Sequence, residues 1–327
     1  MPSWVRLSQK HETWLLIVIV ILAVALSVIS PAFLTLRNAQ DLITANAFTS
    51  ILAAGLLLVL ISGGIDISFT ATATVAQYVA MTIANAHDVG WIGVVVIASG
   101  IGIGLGLVNA VLIHVFRVRS IIATLGTLNA FYGLLVFTTR GNYIYTLPDW
   151  FDSGMNFFEF RDADQNYYSL NFQMIAAVAV LGAAWFILRR TRLGRQIIAF
   201  GGNHEAAERV GLPIARIQLF VYGWMGWCAG IASLAQAQLA QSIAPTVLVG
   251  RELDVLAAVV LGGASLAGGV GSVLGTVLGL ILLAILQNGL ILVGVSSYWS
   301  DFATGVVILI AVSATARRVR GGRLALA

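Results

Sequence analysis

Long apolar runs, separated by short polar or glycine-rich stretches, recur along the whole chain. About ten of these runs are long enough to cross the hydrocarbon core of a bilayer, roughly 30 Å thick, as a helix. The predicted spans are residues 14–29, 42–62, 67–84, 91–115, 121–138, 172–188, 217–239, 253–267, 270–293 and 302–316. The pattern therefore predicts an all-α integral membrane protein with one transmembrane domain over residues 1–327.

The composition supports a membrane protein. The chain is 59% hydrophobic and 10% charged, whereas a soluble domain is about 25% charged. Its net charge of +4 lies in short loops beside the spans, which favours membrane lipid and excludes nucleic acid as a partner. The only cysteine, Cys228, excludes an intrachain disulfide. The run that follows Arg6 and Lys10 is long for a signal peptide, so it is predicted to be an uncleaved first helix.

The basic residues set the predicted orientation. With the N-terminus in the cytoplasm, ten alternating spans put fourteen of the 18 basic residues on the cytoplasmic side, as the positive-inside rule requires. Both termini are then cytoplasmic. The loop at residues 189–216, which holds six arginines, is cytoplasmic as well.

The longest loop on the other side, residues 140–171, is acidic and rich in aromatic residues. Two interpretations stay open for this periplasmic loop. It is either an interfacial helix with an aromatic belt, or a lid or docking surface for an external protein.

Glycines four residues apart predict close helix packing, because they line one helix face and let another backbone approach. The pairs are Gly100 and Gly104, Gly102 and Gly106, and Gly226 and Gly230, with a longer series at Gly271, Gly275 and Gly279.

Two glycine-rich stretches interrupt apolar runs: a first hinge at residues 60–68 and a second hinge at residues 261–272. Non-helical backbone at membrane depth survives only when it is buried in protein or faces water. Both hinges are therefore candidate elements of a translocation pathway. A tight turn at the cytoplasmic surface is the alternative, and it is the preferred one for the second hinge. Asp66, in the first hinge, is expected to cap the next helix, with solute contact as the alternative.

Neutral amides lie within several spans, and such groups suit a polar, uncharged solute because they donate and accept hydrogen bonds without a counter-ion. For each amide alone, helix–helix hydrogen bonding is the more ordinary role. The candidate pathway residues are Asp66, Gln77, Asn129, Gln236, Gln238, Gln287 and Asn288.

Motifs for energy coupling and catalysis are absent from the sequence. The only lysine, Lys10, is not part of a phosphate-binding loop. Asp66 has no second aspartate within a span to form a catalytic pair, and there is no HExxH zinc motif. We therefore expect no catalytic residue, no metal site and no cofactor in this chain.

Residues 203–211 within the basic loop predict a short helix. Asn203 is a good N-cap, and Gly211 followed by Pro213 ends the helix. A helix of about two turns is too short to be stable alone, so it must rest on its own protein or on a partner. Its small apolar face suits a shallow groove in a partner protein; this face is formed by Ala206, Ala207 and Val210.

Four segments together resemble one family, the permease subunits of bacterial ABC importers of the ribose and monosaccharide type. They are ISGGIDIS, LGTL, TRLGRQIIAFGGNHEAAERVGLP and ELDVLAAVVLGGASLAGGVGSVLGT, which occur in the family's order and cover nearly the whole chain. The residues after ISGGIDIS, Phe69 and Thr70, depart from the small residues that are common there.

The resemblance implies a ten-span permease of the bacterial inner membrane that pairs with a second permease subunit, identical or related. Cytoplasmic ATPase subunits would bind ATP and magnesium, and a periplasmic binding protein would deliver the sugar. The short helix would be the coupling helix; the residues expected to contact the ATPase are Gly201, Gly202, Asn203, Glu205, Ala206, Ala207, Val210 and Gly211. The alternative hypothesis is a secondary transporter or channel driven by an ion gradient.

Overall fold

The computed structural model describes residues 3–161 and 167–296, and positions 299, 302, 303, 305, 306 and 309. The described helices and strands are α1 (Ser3–Ile29), α2 (Leu36–Ala45), α3 (Ala47–Ile61), α4 (Phe69–Ala86), α5 (Gly90–His114), α6 (Ser120–Thr139), α7 (Asp149–Asp152), β1 (Asn156–Arg161), β2 (Tyr167–Asn171), α8 (Phe172–Arg190), α9 (Arg192–Gly202), α10 (His204–Arg209), α11 (Ile214–Ala240), α12 (Glu252–Leu261) and α13 (Val273–Leu292).

The core is built around α3 and α11. Every residue of α3 except Thr49 and Ser50 is buried, as expected for a helix that is apolar on all sides. The long helix α11 packs against α3, α4 and α5. These helices carry the functional loops at their ends, so movement of a loop must be transmitted through a tightly packed centre.

Six described helices are long and apolar enough to cross a membrane: α1, α5, α6, α8, α11 and α13. The pair α2 and α3, bent by 49°, makes up to seven. Helix α4 lies where the third span was predicted but is too polar to pass as a span, and α12 has only ten residues. The predicted span at 302–316 falls largely outside the described residues. The structure thus confirms a multi-span helical protein, while the count of ten and the cytoplasmic termini stay predictions.

The loop at residues 140–171 corrects the expectation that the chain is entirely helical. It contains the four-residue helix α7 and an antiparallel hairpin of β1 and β2. The hairpin is tied to α2, because the Gln40 side chain donates to the carbonyl oxygen of Ser169 (3.1 Å) and Asn171 donates to Thr44 (3.2 Å). Its exposed aromatic residues leave the two interpretations of this loop, membrane belt or docking surface, unresolved.

The bundle has two opposite ends. At the hairpin end, the Trp91 indole at the start of α5 donates to the carbonyl oxygen of Trp150 (3.1 Å). At the α10 end, His114, which ends α5, bonds Gln218 near the start of α11 (2.8 Å between Nδ1 and Oε1).

Part of the predicted glycine packing is present. A Cβ added at Gly102 or Gly106 would overlap backbone atoms of α11, and one at Gly226 would overlap the Gly102 carbonyl group. The prediction for Gly100 and Gly104 was wrong within the described part of the chain, where no atom lies within 4 Å of a Cβ at either position. Both glycines lie on the side of α5 that faces away from α11.

Candidate functional site

The short helix predicted in the basic loop is present as α10, and the residues predicted to begin and end it do so. The Asn203 side chain accepts from the backbone N–H of Ala206 at 2.9 Å, which caps the helix. Gly211 adopts the left-handed conformation (φ +73°), and the N–H of Leu212 closes the turn on the carbonyl oxygen of Ala207 at 3.0 Å. The helix is shorter than predicted, with six residues.

The apolar residues of α10 do not all face the same way, which corrects the prediction that they form one apolar face for a partner. Ala207 is buried in the chain's own core, whereas Ala206 is exposed and Val210 is 75% exposed. Glu205 and Arg209 form an exposed ion pair at 3.8 Å, which contributes little to stability. Thus Ala207 anchors α10 to the body of the protein, while Ala206 and Val210 face outward.

Glycines hold the end of α9, directly before α10, against both hinges at one point. We call this point the glycine junction; it is formed by Ile61, Gly63, Gly201, Gly268 and Gly269. The Gly269 N–H donates to the carbonyl oxygen of Ile61, the last residue of α3, at 2.8 Å. A Cβ at Gly201 would overlap that same carbonyl oxygen, and one at Gly268 would lie 2.8 Å from the Cα of Gly63. Three backbone segments therefore touch with no side chain between them, just before the start of α10.

His204, the first residue of α10, adds a direct contact to the first hinge. Its ring stacks on Phe200 with centroids 4.2 Å apart, and its Cε1 would lie 2.7 Å from a Cβ at Gly63. Partial burial lowers the pKa of His204 below its usual value. The ring also lines a cavity of about 360 Å³ between the first hinge and the start of α6. This open space gives the hinge room to move.

Beyond Gly64, the first hinge continues into the interior. Asp66 accepts from the backbone N–H of Ser68 (2.8 Å) and from its hydroxyl (2.7 Å). Asn109 of α5 donates to the Ser68 hydroxyl (2.7 Å), and Thr127 of α6 donates to Asn109 (2.7 Å). Asp66 therefore holds the start of α4 in place, close to the expected capping role. It does so by accepting hydrogen bonds from the N-cap residue Ser68, and it is not the N-cap itself. The network ties the hinge to two spans.

The second hinge turns at the surface. Leu266 and Val270 are exposed, and the N–H of Ser265 bonds the carbonyl oxygen of Val270 at 2.9 Å across the turn. This geometry matches the tight turn that was preferred for this stretch.

The remaining candidate pathway residues are spread over the molecule. Asn288 of α13 forms a two-way amide pair with Asn38 of α2, with N···O distances of 3.1 and 2.9 Å. Asn129 is exposed on α6 and donates to the carbonyl oxygen of Leu125 in its own helix. Gln287 is half-buried beside Asn288 in sequence. These three residues are not brought to one site within the chain.

Gln236 and Gln238 are buried near the hairpin end of α11, and Gln77 is buried in α4 with 1% of its surface exposed. Neither side-chain atom of Gln77 has a hydrogen-bond partner among the residues that the structure describes.

Sequence reasoning missed Glu252, which was assigned to a loop. Glu252 starts α12, is 9% exposed and accepts a hydrogen bond from the Thr70 hydroxyl of α4. The signal was the shortness of the predicted span at residues 253–267, which falls below the roughly 20 residues that a crossing helix needs.

The comparisons with known proteins agree on a transport function. A family model described as "Branched-chain amino acid transport system / permease component" matches residues 38–312. The chain is 35% identical to the ribose import permease protein RbsC of Escherichia coli K12 over 297 residues, which is 91% of each chain. It is 32% identical to the L-arabinose ABC transporter permease protein AraH of Azospirillum brasilense, covering 92% of this chain and 86% of the relative.

A third relative is the galactose/methyl galactoside import permease protein MglC of Salmonella typhimurium, 31% identical over 309 residues (90% of this chain and 91% of the relative). No solved structure gave a significant match.

Proposed function

The chain belongs to the family of transport-system permease components defined by that match, and we propose that it is the membrane-spanning subunit of an ATP-driven, binding-protein-dependent sugar importer. It is a multi-pass protein of the bacterial inner membrane. The observation that carries the proposal is the capped helix α10, which is anchored through Ala207 and directly follows the end of α9 at the glycine junction.

The family supports ATPase and binding-protein partners in general, and we assign α10 as the contact with the ATPase. Its outer residues are exposed, while its inner side is fixed to the permease. A partner that moves α10 would therefore displace the first hinge. Packed cores change between discrete arrangements rather than deforming continuously, so a small shift at α10 switches the spans between two states.

We further propose ten spans, both termini in the cytoplasm, and a second permease subunit that completes the pathway. The distribution of basic residues supports this orientation. The α10 end would be cytoplasmic and the hairpin end periplasmic. The transported solute is a monosaccharide, ribose or a similar sugar, in line with the names of the relatives.

ATP binding to the ATPase pair would move α10 and open the spans outward, so that the binding protein releases its sugar into the pathway. Hydrolysis would reset the structure. The permease itself makes and breaks no covalent bond, and ATP and magnesium are held by the partner.

A double variant of exposed α10 residues, Glu205→Arg with Ala206→Trp, tests the assignment. It should abolish ATP-dependent uptake and co-purification with the ATPase, because charge and bulk are placed where the partner docks. The melting temperature in detergent should stay within a few degrees of the wild type, since neither side chain is buried. Ala207 is unsuitable for this test because it is buried in the core.

The matched control is Asp88→Arg with Ala86→Trp, which makes the same changes at exposed positions at the hairpin end. It should keep ATPase association. Normal uptake by the α10 variant would show that α10 is not the coupling element.

A further inference from the structure

Helix α12 is too short to cross a membrane. Its last residue, Leu261, is the first residue of the second hinge at the α10 end, and ten residues rising about 1.5 Å each cover about 15 Å. That is half of a hydrocarbon core roughly 30 Å thick. With the second hinge at the cytoplasmic surface, as the proposed orientation has it, Glu252 at the start of α12 lies at about mid-depth.

The segment before α12 descends from the hairpin end to this depth without being helical. Ile243 forms a two-way backbone bridge with Ile144, in the loop after α6 (3.0 and 2.9 Å). The chain then runs as turns to Arg251, with Val249 (59% exposed), Gly250 and Arg251 uncovered by the described part of this chain. Uncovered backbone and a cation at membrane depth require water or another protein surface beside them.

Polar side chains from two helices, α4 and α6, surround the start of α12. The Thr70 hydroxyl of α4 donates to Glu252, and the Thr74 hydroxyl bonds the carbonyl oxygen of Thr70 at 2.8 Å. The Tyr132 hydroxyl of α6 lies beside Thr70 and Thr74 and near Glu252. This hydroxyl is buried and adds a third polar group beside the two threonines.

Gln77 continues the same face of α4, since positions 70, 74 and 77 follow the i, i+4, i+7 spacing of one helix side. Its amide is fully buried and makes no hydrogen bond within the described part of the chain. Leaving a buried polar group unsatisfied costs about 1–3 kcal/mol. The unsatisfied amide of Gln77 on this polar stripe indicates that something outside the described part of the chain completes its hydrogen bonds.

We propose that Thr70, Gln77, Tyr132 and Glu252 form a mid-membrane site for the hydroxyl groups of the transported solute, entered from an aqueous vestibule walled by residues 246–251. The inference rests on the proposed transport function and adds the site at which the solute is held.

The chemistry of the site selects a polyhydroxy solute. A carboxylate accepts hydrogen bonds from hydroxyls, an amide both donates and accepts, and a phenol donates. Within the described residues no group of three His, Cys, Asp or Glu side chains could hold a metal ion. The four side chains also offer no cation, so an anionic solute would face Glu252 without compensation.

The vestibule is tested by cysteine labelling, which requires no knowledge of the solute. In a Cys228→Ala background, Val249→Cys is treated with a charged, membrane-impermeant methanethiosulfonate reagent on the complete transporter in membranes. The control is Val178→Cys, which is also exposed but lies within the apolar span α8. Labelling of Val249→Cys without labelling of Val178→Cys is the expected result. Failure of Val249→Cys to react would overturn the proposal.

The site is tested by uptake of radiolabelled D-ribose, L-arabinose and D-galactose. Glu252→Gln and Tyr132→Phe should each lower uptake of the transported sugar about tenfold or more, the effect of one hydrogen bond that involves a charged or buried partner. Thr70→Val should act similarly, and Thr70→Ser should restore uptake. Thr82→Val is the control, because this exposed hydroxyl only bonds the Tyr78 carbonyl oxygen of its own helix.

Co-purification with the ATPase should be unchanged in all these variants, which separates this site from the coupling assignment. Wild-type uptake in every site variant would overturn the site even if the vestibule is labelled. If the wild-type protein takes up none of these sugars in an ATP-dependent manner, the result counts against the proposed function instead. In that case the cysteine-labelling experiment still tests the vestibule.

Discussion

The two hinges begin with the same local structure and then diverge. Each follows a buried helix, and each has a glycine in the left-handed conformation, Gly63 (φ +82°) and Gly263 (φ +91°). In both, the glycine N–H bonds the carbonyl oxygen three residues before it at 2.9 Å. A histidine ring lies against each glycine: His204 of α10 against Gly63, and His11 of α1 against Gly263.

After these caps, the first hinge enters the core through Asp66 and Ser68, whereas the second stays at the surface as a turn. Identical caps therefore do not imply identical roles. In the function that we propose, the buried polar network makes the first hinge the element that carries movement of α10 into the spans. The second hinge fixes α12 and α13 at the glycine junction, and its own residues transmit little.

The largest effect is expected at the glycine junction, where both hinges meet the end of α9. Gly201→Ala places a Cβ on the carbonyl oxygen of Ile61, so backbone has to move. It should lower the free energy of unfolding by about 3 kcal/mol and abolish ATPase association, as measured by thermal melting and co-purification. Gly202→Ala is the matched control, because no atom of the described residues lies within 4 Å of its Cβ. Equal losses of stability and of ATPase association in the two variants would contradict the close backbone contact assigned to Gly201.

Asp66→Ala in the first hinge should lower the free energy of unfolding by about 2 kcal/mol, because the Ser68 N–H and hydroxyl lose a charged, buried acceptor. In the second hinge, Ser265→Ala removes only a half-buried contact with the Ala267 N–H (3.1 Å) and should cost less than about 0.5 kcal/mol. Chemical denaturation of both variants in detergent measures the difference. A similar loss of unfolding free energy in the two variants would show that the hinges do not differ in their buried polar contacts.

Gly63→Ala and Gly263→Ala test whether equal caps have unequal functions. Each forces alanine into a left-handed conformation, which costs roughly 1–2 kcal/mol. The melting temperatures should therefore fall by similar amounts. ATP-dependent uptake, scaled to folded protein, should fall only for Gly63→Ala, since the first hinge transmits the movement. An equal loss of uptake in both variants would contradict this account.

The smallest effect is a pH dependence at His204. Its lowered pKa means that the folded state favours the neutral ring, so stability is retained above the ordinary value of 6.5 and is reduced as pH falls below it. Wild type should lose slightly more thermal stability on acidification than His204→Gln, whose side chain does not titrate in this range. Parallel melting curves for the two proteins between about pH 7.5 and 5.5 would rule out a contribution from His204.

Local signals predicted much of the site. Asn203, Gly211 and Pro213 identified α10 and its ends, because capping depends on neighbouring residues alone. The buried role of Asp66 was also expected from its place in an apolar context. The hairpin in the loop at 140–171 was missed because its strands, such as NFFEFR, also fit an aromatic membrane belt.

Long-range contacts account for most of what sequence alone did not predict. Thr70 and Glu252 are 182 residues apart, and nothing in either segment indicates their contact. The glycine junction likewise joins residues near 61, 201 and 269. The division of the α10 apolar residues, with Ala207 inward and Val210 outward, depends on how the helix is docked rather than on its composition.

Reconstitution in liposomes tests the central claim, that α10 couples this permease to a separate ATPase, most directly. The purified chain is combined with its ATPase and a sugar-loaded binding protein, and sugar accumulation is followed with and without ATP. We predict accumulation only when both ATPase and ATP are present, with loss of accumulation in Glu205→Arg/Ala206→Trp. Accumulation driven by an ion gradient in the absence of the ATPase, or a permease that never binds the ATPase, would contradict the account.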